Sequence, residues 1–257
     1  MLLTLDVGNS QIFGGVFADK ELKFTFRRSS SVRSSSDEFG LFFRGVLREN
    51  AIDPSAIREA GICSVVPDAV HSLRNSFRKY FAFEPFLLQA GAKTGLKIRY
   101  RNPLEVGADK IANAMGALER FPGRNLIIVD FGTATTLCAV SKDKEYLGGI
   151  ITPGMNISMT ALESNTARLP TVEIVRPSEL LGRSTVESIQ SGLYYGTLET
   201  VRALAGAVAK DYFSREQPLI VSTGGFARLF ADEELFDVFV PELPLLGLRR
   251  AVELARS

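Results

Sequence analysis

The chain has 257 residues, 46% of them hydrophobic and 23% charged, with 30 basic side chains against 29 acidic ones and a formal charge of +1. Such a chain can bury a core without covalent staples, as one large domain or two small ones. The near-neutral balance argues against an obligate DNA binder, although not against a local basic patch. Two cysteines, Cys63 and Cys138, lie outside any CxxC pair. They read as buried small hydrophobes rather than as a disulfide framework or a zinc site.

The opening run Leu2 to Leu5 ends at Asp6 without a basic n-region, unlike a secretory signal peptide. No stretch approaches the roughly 20 apolar residues of a membrane span. A cytoplasmic protein with no membrane partner and no nucleic-acid partner is expected. Leu2 to Asn9 also matches Leu126 to Thr133 in pattern, and Asp19-Lys20-Glu21 recurs as Asp143-Lys144-Glu145. Both matches share an offset of 124 positions (130 − 6), which points to two halves built on one plan. The turn-rich Phe121-Pro122-Gly123 marks the boundary. The predicted domains are 1–120 and 121–257.

In chain order, the first half opens with strand, tight turn, strand, turn and strand, the Asp-Lys-Glu tripeptide being the second turn. A Ser-rich stretch leads to Ser35 and Glu38, spaced as a capping box, and to a helix carrying Phe39, Phe42, Phe43, Val46 and Leu47. Asp53-Pro54 begins a short helical turn. Gly61 to Val66 reads as a buried strand, and Pro67 opens a helix with Val70, Leu73, Phe77 and Phe81 on one face. Phe86 to Leu88 is a strand. A helix from about Asp109 to Phe121, with Ile111, Met115, Leu118 and Phe121 inward, closes the half. The second half repeats the opening. It continues with a long helix through Val186, Ile189, Leu193, Thr197, Val201, Leu204 and Val208, a strand from Leu219 to Ser222, and a last helix through Leu248, Val252 and Leu254. The apolar stripe of the long helix fits a subunit interface or an internal core equally well.

Three strand-to-glycine turns carry the chemistry. In Asp6-Val7-Gly8-Asn9-Ser10 the glycine admits close approach to a phosphate, successive N–H groups can cradle its oxygens, and Asp6 offers a hard oxygen to Mg²⁺ or its waters. One copy alone would read as a plain β-turn. A second copy in register, Asp130-Phe131-Gly132-Thr133-Ala134-Thr135-Thr136, favours a site gripping phosphates from two sides, with Asp130 available to a cation. Thr135 and Thr136 read first as strand formers. Val221 to Gly225 is a weaker third turn, suited to a nucleoside. Gly107-Ala108-Asp109-Lys110 starts a helix. Asp109 there is either a helix-start residue favoured by the helix dipole or a general base, and spacing alone does not choose. The chain lacks GxxxxGK[ST] and a strand-borne GxGxxG, so neither a P-loop nor a Rossmann site is supported. The single histidine, His71, has polar neighbours and reads as surface.

With both Asp-x-Gly turns in place, the chain resembles the acetate and sugar kinase, Hsp70 and actin superfamily. Within it the chain is most similar to type III pantothenate kinases. The matching stretches are Asp6 to Ser10, Ser64 to Pro67, Tyr100 to Pro103, Val106 to Lys110, Asp130 to Thr136, Gly148 to Gly154 and Thr223 to Gly225. The resemblance implies an α/β fold of two duplicated ribonuclease H-like (actin-like ATPase) domains with an interdomain cleft. It implies ATP-dependent phosphorylation of pantothenate, with Asp109 as general base. ATP would meet Asp6, Val7, Gly8, Asn9, Ser10, Gln11, Ile12, Phe13 and Thr133. Tyr100, Gly107, Ala108, Asp109, Lys110 and Thr185 would line the pantothenate pocket. Asp130 would hold a monovalent cation, K⁺ or NH₄⁺, beside the Mg²⁺ that accompanies ATP. A homodimer is implied, with the pocket near its interface. Lys110 stands where the family usually has Arg, keeping the charge but losing the bidentate fork. Ser10 stands where Thr is common. The rival readings are another small-molecule kinase or phosphatase of the superfamily and a non-enzymatic transcription accessory regulator of the same fold. An actin- or Hsp70-like filament or chaperone is disfavoured by the chain's length.

Overall fold

The computed structural model describes residues 1–30, 34–89 and 91–256; positions 31–33 of the Ser-rich segment lie outside these. The chain divides into two compact units. The first holds Met1–Leu96, Tyr100–Arg120 and Leu243–Ser257, and the second holds Lys97–Arg99 and Phe121–Glu242. The sequence division at 120/121 leaves the last helix with the second half, whereas the structure packs it into the first unit.

The first unit is built on strands β1 (Leu2–Val7), β2 (Gln11–Ala18), β3 (Glu21–Ser29), β4 (Glu59–Ser64) and β5 (Phe86–Leu88), in the order β3-β2-β1-β4-β5. The β1–β2 and β2–β3 pairs are antiparallel, while β1–β4 and β4–β5 are parallel. Helices α1 (Ser36–Glu49) and α2 (Pro67–Phe81) connect the parallel strands. The capping box at the start of α1 is formed: Ser35 Oγ accepts from the Glu38 N–H at 3.2 Å, and Glu38 accepts from the Ser35 N–H at 2.7 Å. Pro67 occupies the first turn of α2, where its missing N–H has no helical partner to lose. Alternation along the strands sends Leu3, Leu5, Val7, Ile12 and Val16 into one cluster with Phe39, Phe43, Leu73 and Phe77. It sends Leu2, Phe13 and Phe17 the other way, onto Leu245 and Val252 of α6 (Leu243–Arg256).

Helix α6 crosses α3 (Ala108–Arg120) at very short range. A Cβ at Gly247 would lie 1.8 Å from the Ala112 carbonyl oxygen, and one at Gly116 would lie 2.2 Å from that of Leu243. The whole span Ile111 to Ala117 is buried, whereas of the stripe expected from periodicity only Ile111 and Met115 are buried and Leu118 and Phe121 are half-buried. Its small residues are what allow this: Ala112, Ala114, Gly116 and Ala117 present a flat surface on which a second helix can lie. Arg249 of α6, 3% exposed, forms ion pairs with Glu119 and Glu253.

The second unit repeats the plan. Strands β7 (Leu126–Phe131), β8 (Ala134–Val140), β9 (Glu145–Pro153), β10 (Leu219–Thr223) and β11 (Val238–Phe239) are ordered β11-β10-β7-β8-β9, with β6 (Lys97–Ile98) added beside β9. Strands β7 and β9 fall at an offset of 124 from β1 and β3, residue for residue (126 − 2 and 145 − 21). With the same order and the same antiparallel and parallel pairs, both sheets have the ribonuclease H-like topology. Helices α4 (Met155–Ser164) and α5 (Thr185–Tyr212) cover one face. Ile189, Leu193, Leu198, Val201 and Ala205 of α5 belong to this unit's own core. Much of the apolar stripe of the long helix is therefore internal, while Val186 at its start is exposed. Neither α4 nor the short β6 and β11 were legible as elements in the sequence.

Candidate functional site in each unit

In the first unit β1 delivers Asp6 to the sheet's carboxyl end, paired in register with Phe13 on β2 and Cys63 on β4. The following turn closes with the Gly8 N–H donating to the Gln11 carbonyl at 2.9 Å. Asn9, Ser10 and Gln11 are exposed, so their side chains are presented to solvent. Val7 and Ile12 are not: both are 0% exposed and sit in the core cluster. Phe13 is 7% exposed, with the Arg27 guanidinium 4.0 Å from its ring centroid. Of the stretch expected to meet ATP, these three residues have only backbone to offer a phosphate.

Asp109 stands in the first turn of α3. Its Oδ2 lies 3.4 Å from Lys110 Nζ, while its Oδ1 is buried with no hydrogen-bond partner among the described residues. A Cβ on Gly107 would come within 2.3 Å of that Oδ1, so the glycine is what lets the carboxylate fold against the backbone. Gly107 also receives the first helical bonds of α3, from Lys110 N–H at 3.1 Å and Ile111 N–H at 3.2 Å. Tyr100 precedes this helix start in the same unit and is half-buried, as are Ala108 and Lys110.

Sequence reasoning missed the part played by Cys63. The thiol is fully buried beside Asp6, its partner in strand register, with which it shares a hydrogen bond, and it also feels the charge of Asp109. Burial pushes it well above its ordinary range, the negative charges of Asp6 and Asp109 add to this, and Lys110 opposes it. It is therefore a neutral S–H donor that binds the first-strand aspartate. The parallel register of β1 and β4 was the one signal that would have found it. His71 is exposed and shares a hydrogen bond with Asn75 at 2.9 Å, in keeping with a surface position.

In the second unit Asp130 occupies the place of Asp6, with the Gly132 N–H donating to the Ala134 carbonyl at 3.2 Å. Parallel pairing sets Thr223 of β10 opposite Asp130. Gly224, at φ +95°, then packs so closely that a Cβ would fall 2.4 Å from Asp130 Oδ1 and 2.6 Å from the Phe131 nitrogen. The third glycine turn, weak by itself in sequence, is thus part of the same constellation. A second close contact comes from Gly154, which precedes α4: its Cβ would meet the Thr133 carbonyl oxygen at 2.2 Å. The start of α4 therefore lies against the exposed Thr133, and helix N-termini favour anions. Thr135 and Thr136 are buried in β8, as strand formers. Thr185, the first residue of α5, is exposed, and Ser184 caps that helix through the Glu187 N–H at 3.2 Å.

No group of three or more His, Cys, Asp or Glu side chains that could enclose a metal ion occurs among the described residues. Each unit instead offers one carboxylate beside a glycine turn, Asp130 being framed by Gly132 and Gly224. That donor set fits a hard cation completed by phosphate oxygens and water, the way Mg²⁺ is held in phosphoryl-transfer sites, rather than an all-protein cage.

Comparison with known proteins gives the family. The first unit's sheet and the Asp130 turn both lie inside residues 2–207, which match the family model for type III pantothenate kinase. The type III pantothenate kinase of Legionella pneumophila is 55% identical over 251 residues, covering 98% of each chain. Among solved structures, a conserved protein from Campylobacter jejuni described as a Baf family transcriptional activator aligns with a TM-score of 0.63 at 18% identity, over 99% of this chain and 98% of that one. A protein from Sinorhizobium meliloti described as a 2-dehydro-3-deoxygalactonokinase aligns at 0.56 and 11% identity, over 100% of this chain and 96% of that one. At those identities the two structures speak for the fold alone. The identity to the Legionella kinase over nearly the whole chain, together with the matching family model, establishes that the chain belongs to the type III pantothenate kinase family.

Proposed function

We propose that this chain transfers the γ-phosphate of ATP to the hydroxyl of pantothenate, giving 4'-phosphopantothenate, the first step of coenzyme A biosynthesis. The observation that carries the reading is the Asp109 carboxylate, with one buried oxygen lacking a hydrogen-bond partner at the start of α3. An unpaired carboxylate oxygen is what a general base needs in order to accept a hydroxyl proton. Lys110, kept close to the other oxygen, supplies a cation for the pantothenate carboxylate, with Tyr100, Gly107 and Ala108 beside it in the first unit; Thr185 of the second unit is also assigned to pantothenate. Phosphates are assigned to the glycine turns: the backbone at Gly8, the side chains of Asn9 and Ser10, and Thr133 in the second unit. Asp6 serves Mg²⁺, directly or through water, and Asp130 serves K⁺ or NH₄⁺; bound cations would neutralise charge on the transferring phosphoryl group. Positioning and charge neutralisation dominate this chemistry, so a site of turns and single carboxylates suffices.

The protein is assigned to the cytoplasm, acts as a homodimer and has no nucleic-acid or membrane partner in this reading. Among the described residues no helix is long and apolar enough to cross a membrane. The likeness to the Campylobacter jejuni protein gives a transcriptional role no separate support, since it concerns the fold alone.

The test is pantothenate-dependent ADP release with Mg-ATP, with and without K⁺, for the wild type and Asp109→Asn. Turnover requiring both pantothenate and K⁺, with a loss of about a hundredfold or more in the variant, is expected. An inert wild type would remove the activity. Full activity in Asp109→Asn would reduce Asp109 to a helix-start residue. Light scattering showing only monomer at micromolar concentration would remove the dimer.

A further inference from the structure

The first unit contains a cavity of about 810 Å³ that shares no residue with the Asp6 turn or the Asp109 helix start. Arg44 and Arg48 enter it from one face of α1, four residues apart, and Arg58 enters it from the segment before β4. None of these three guanidiniums forms an ion pair or a side-chain hydrogen bond among the described residues. Several other cations of the unit are paired: Arg74 and Arg78 hold Glu84, Lys79 holds Asp37, and Arg249 holds Glu119. Arg44 is half-buried and Arg48 and Arg58 are exposed, so three guanidiniums on one lining give it a positive excess that an anion would join.

The only acidic side chain on the lining is Asp53. It is already used: its Oδ1 accepts from the Ser55 N–H at 2.8 Å, capping the short turn Pro54–Ala56. That hydrogen bond, with the nearby charges of Arg48 and Arg44, holds its carboxyl below the ordinary range. One carboxylate against three guanidiniums leaves the cavity's lining positive. The rest of the lining combines Ser55 with apolar side chains. Ile52, Phe81 and Phe83 are half-buried against the unit's core, and Tyr80 contributes its ring while its hydroxyl donates to Asp37 at 2.8 Å. The volume lies within the range of small-molecule sites, about 300–1,000 Å³, and exceeds what an inorganic anion needs.

We propose that this cavity is a second ligand site, for an organic phosphate whose anionic group is gripped by Arg44, Arg48 and Arg58 and whose aromatic or acyl portion lies on Ile52, Phe81 and Phe83. Guanidinium groups match phosphate oxygens bidentately, and the apolar wall distinguishes an organic phosphate from the free ion. The site stands independently of the kinase reading.

The test is calorimetric titration of the whole protein with phenyl phosphate and, separately, with inorganic phosphate. Phenyl phosphate is expected to bind at least tenfold more tightly than inorganic phosphate. Its affinity should fall at least tenfold in the Arg44→Ala/Arg48→Ala/Arg58→Ala variant and should not fall in Asp53→Asn. The wild-type circular dichroism spectrum and melting curve would show that the triple variant is folded; if it is not, the single Arg→Lys variants, which keep charge and lose the fork, carry the same comparison. No saturable binding at millimolar phenyl phosphate, equal affinity for the two anions, or binding unchanged by the arginine substitutions would each overturn the proposal.

Discussion

Replacing Gly247 by alanine sets two effects of opposite sign against each other. Alanine is the better helix former, by about 1 kcal/mol in a helix interior, and α6 is a regular helix. On propensity alone the variant is more stable. Packing says the reverse. The new Cβ would lie 1.8 Å from the Ala112 carbonyl oxygen, 2.7 Å from its carbon and 2.8 Å from the Gly116 nitrogen. All three are backbone atoms of helices, so no rotamer change relieves the clash. Reaching an ordinary contact at 3.4 Å requires about 1.6 Å of separation (3.4 − 1.8) between α3 and α6. A gap of 0.5–1 Å already forfeits roughly a quarter to a half of a dispersion well. Overpacking of this kind costs about 1–3 kcal/mol, and here the backbone clash puts it at the upper end. We therefore expect a net loss of about 2 kcal/mol, which for a chain of this size lowers the melting temperature by about 4–8 °C. Gly45→Ala is the control, because Gly45 is in α1 and a Cβ there meets nothing within 4 Å. It should be neutral or slightly stabilising. Urea midpoints and thermal melts of the two variants measure the difference. A Gly247→Ala protein as stable as the wild type or more so would refute the close-crossing argument.

Gly224→Ala forces a side chain into a backbone conformation at φ +95° and against Asp130 Oδ1. We expect at least a tenfold fall in kcat/KM for ATP with a smaller effect on the melting temperature; unchanged steady-state kinetics would separate this turn from the phosphate site. Both cysteines are free and buried, and the Cys63 thiol is held neutral by burial and by Asp6 and Asp109. Because its titration is displaced upward, the reactive thiolate stays scarce from neutral to mildly alkaline pH. A disulfide reagent should therefore find no fast-reacting thiol in the native protein and two after denaturation. Rapid native labelling of Cys63, read by peptide mass mapping, would contradict the buried S–H donor.

What the sequence determined by itself was local or repeated. The capping box at Ser35 and Glu38, the Pro67 helix start, the 124-residue repeat and both Asp-x-Gly turns depend on near neighbours or on self-similarity, and all can be read along one dimension. The candidate base at Asp109 was legible only as one of two readings, because a carboxylate in a first helical turn looks the same whether or not its oxygens are partnered. Tertiary structure decided what depends on proximity. Cys63 joins Asp6 because β1 and β4 lie side by side, although 57 positions (63 − 6) separate them. Gly224 joins Asp130 by the same parallel pairing in the second unit. Helix α6 belongs with the first unit because Gly247 and Gly116 fit one another's backbones, a match of shapes that leaves no periodic mark in the sequence. The arginine-lined cavity likewise joins residues from α1, from the approach to β4 and from the end of α2. Hydrophobic pattern specifies which face of an element is buried; only close packing of distant segments specifies what it is buried against.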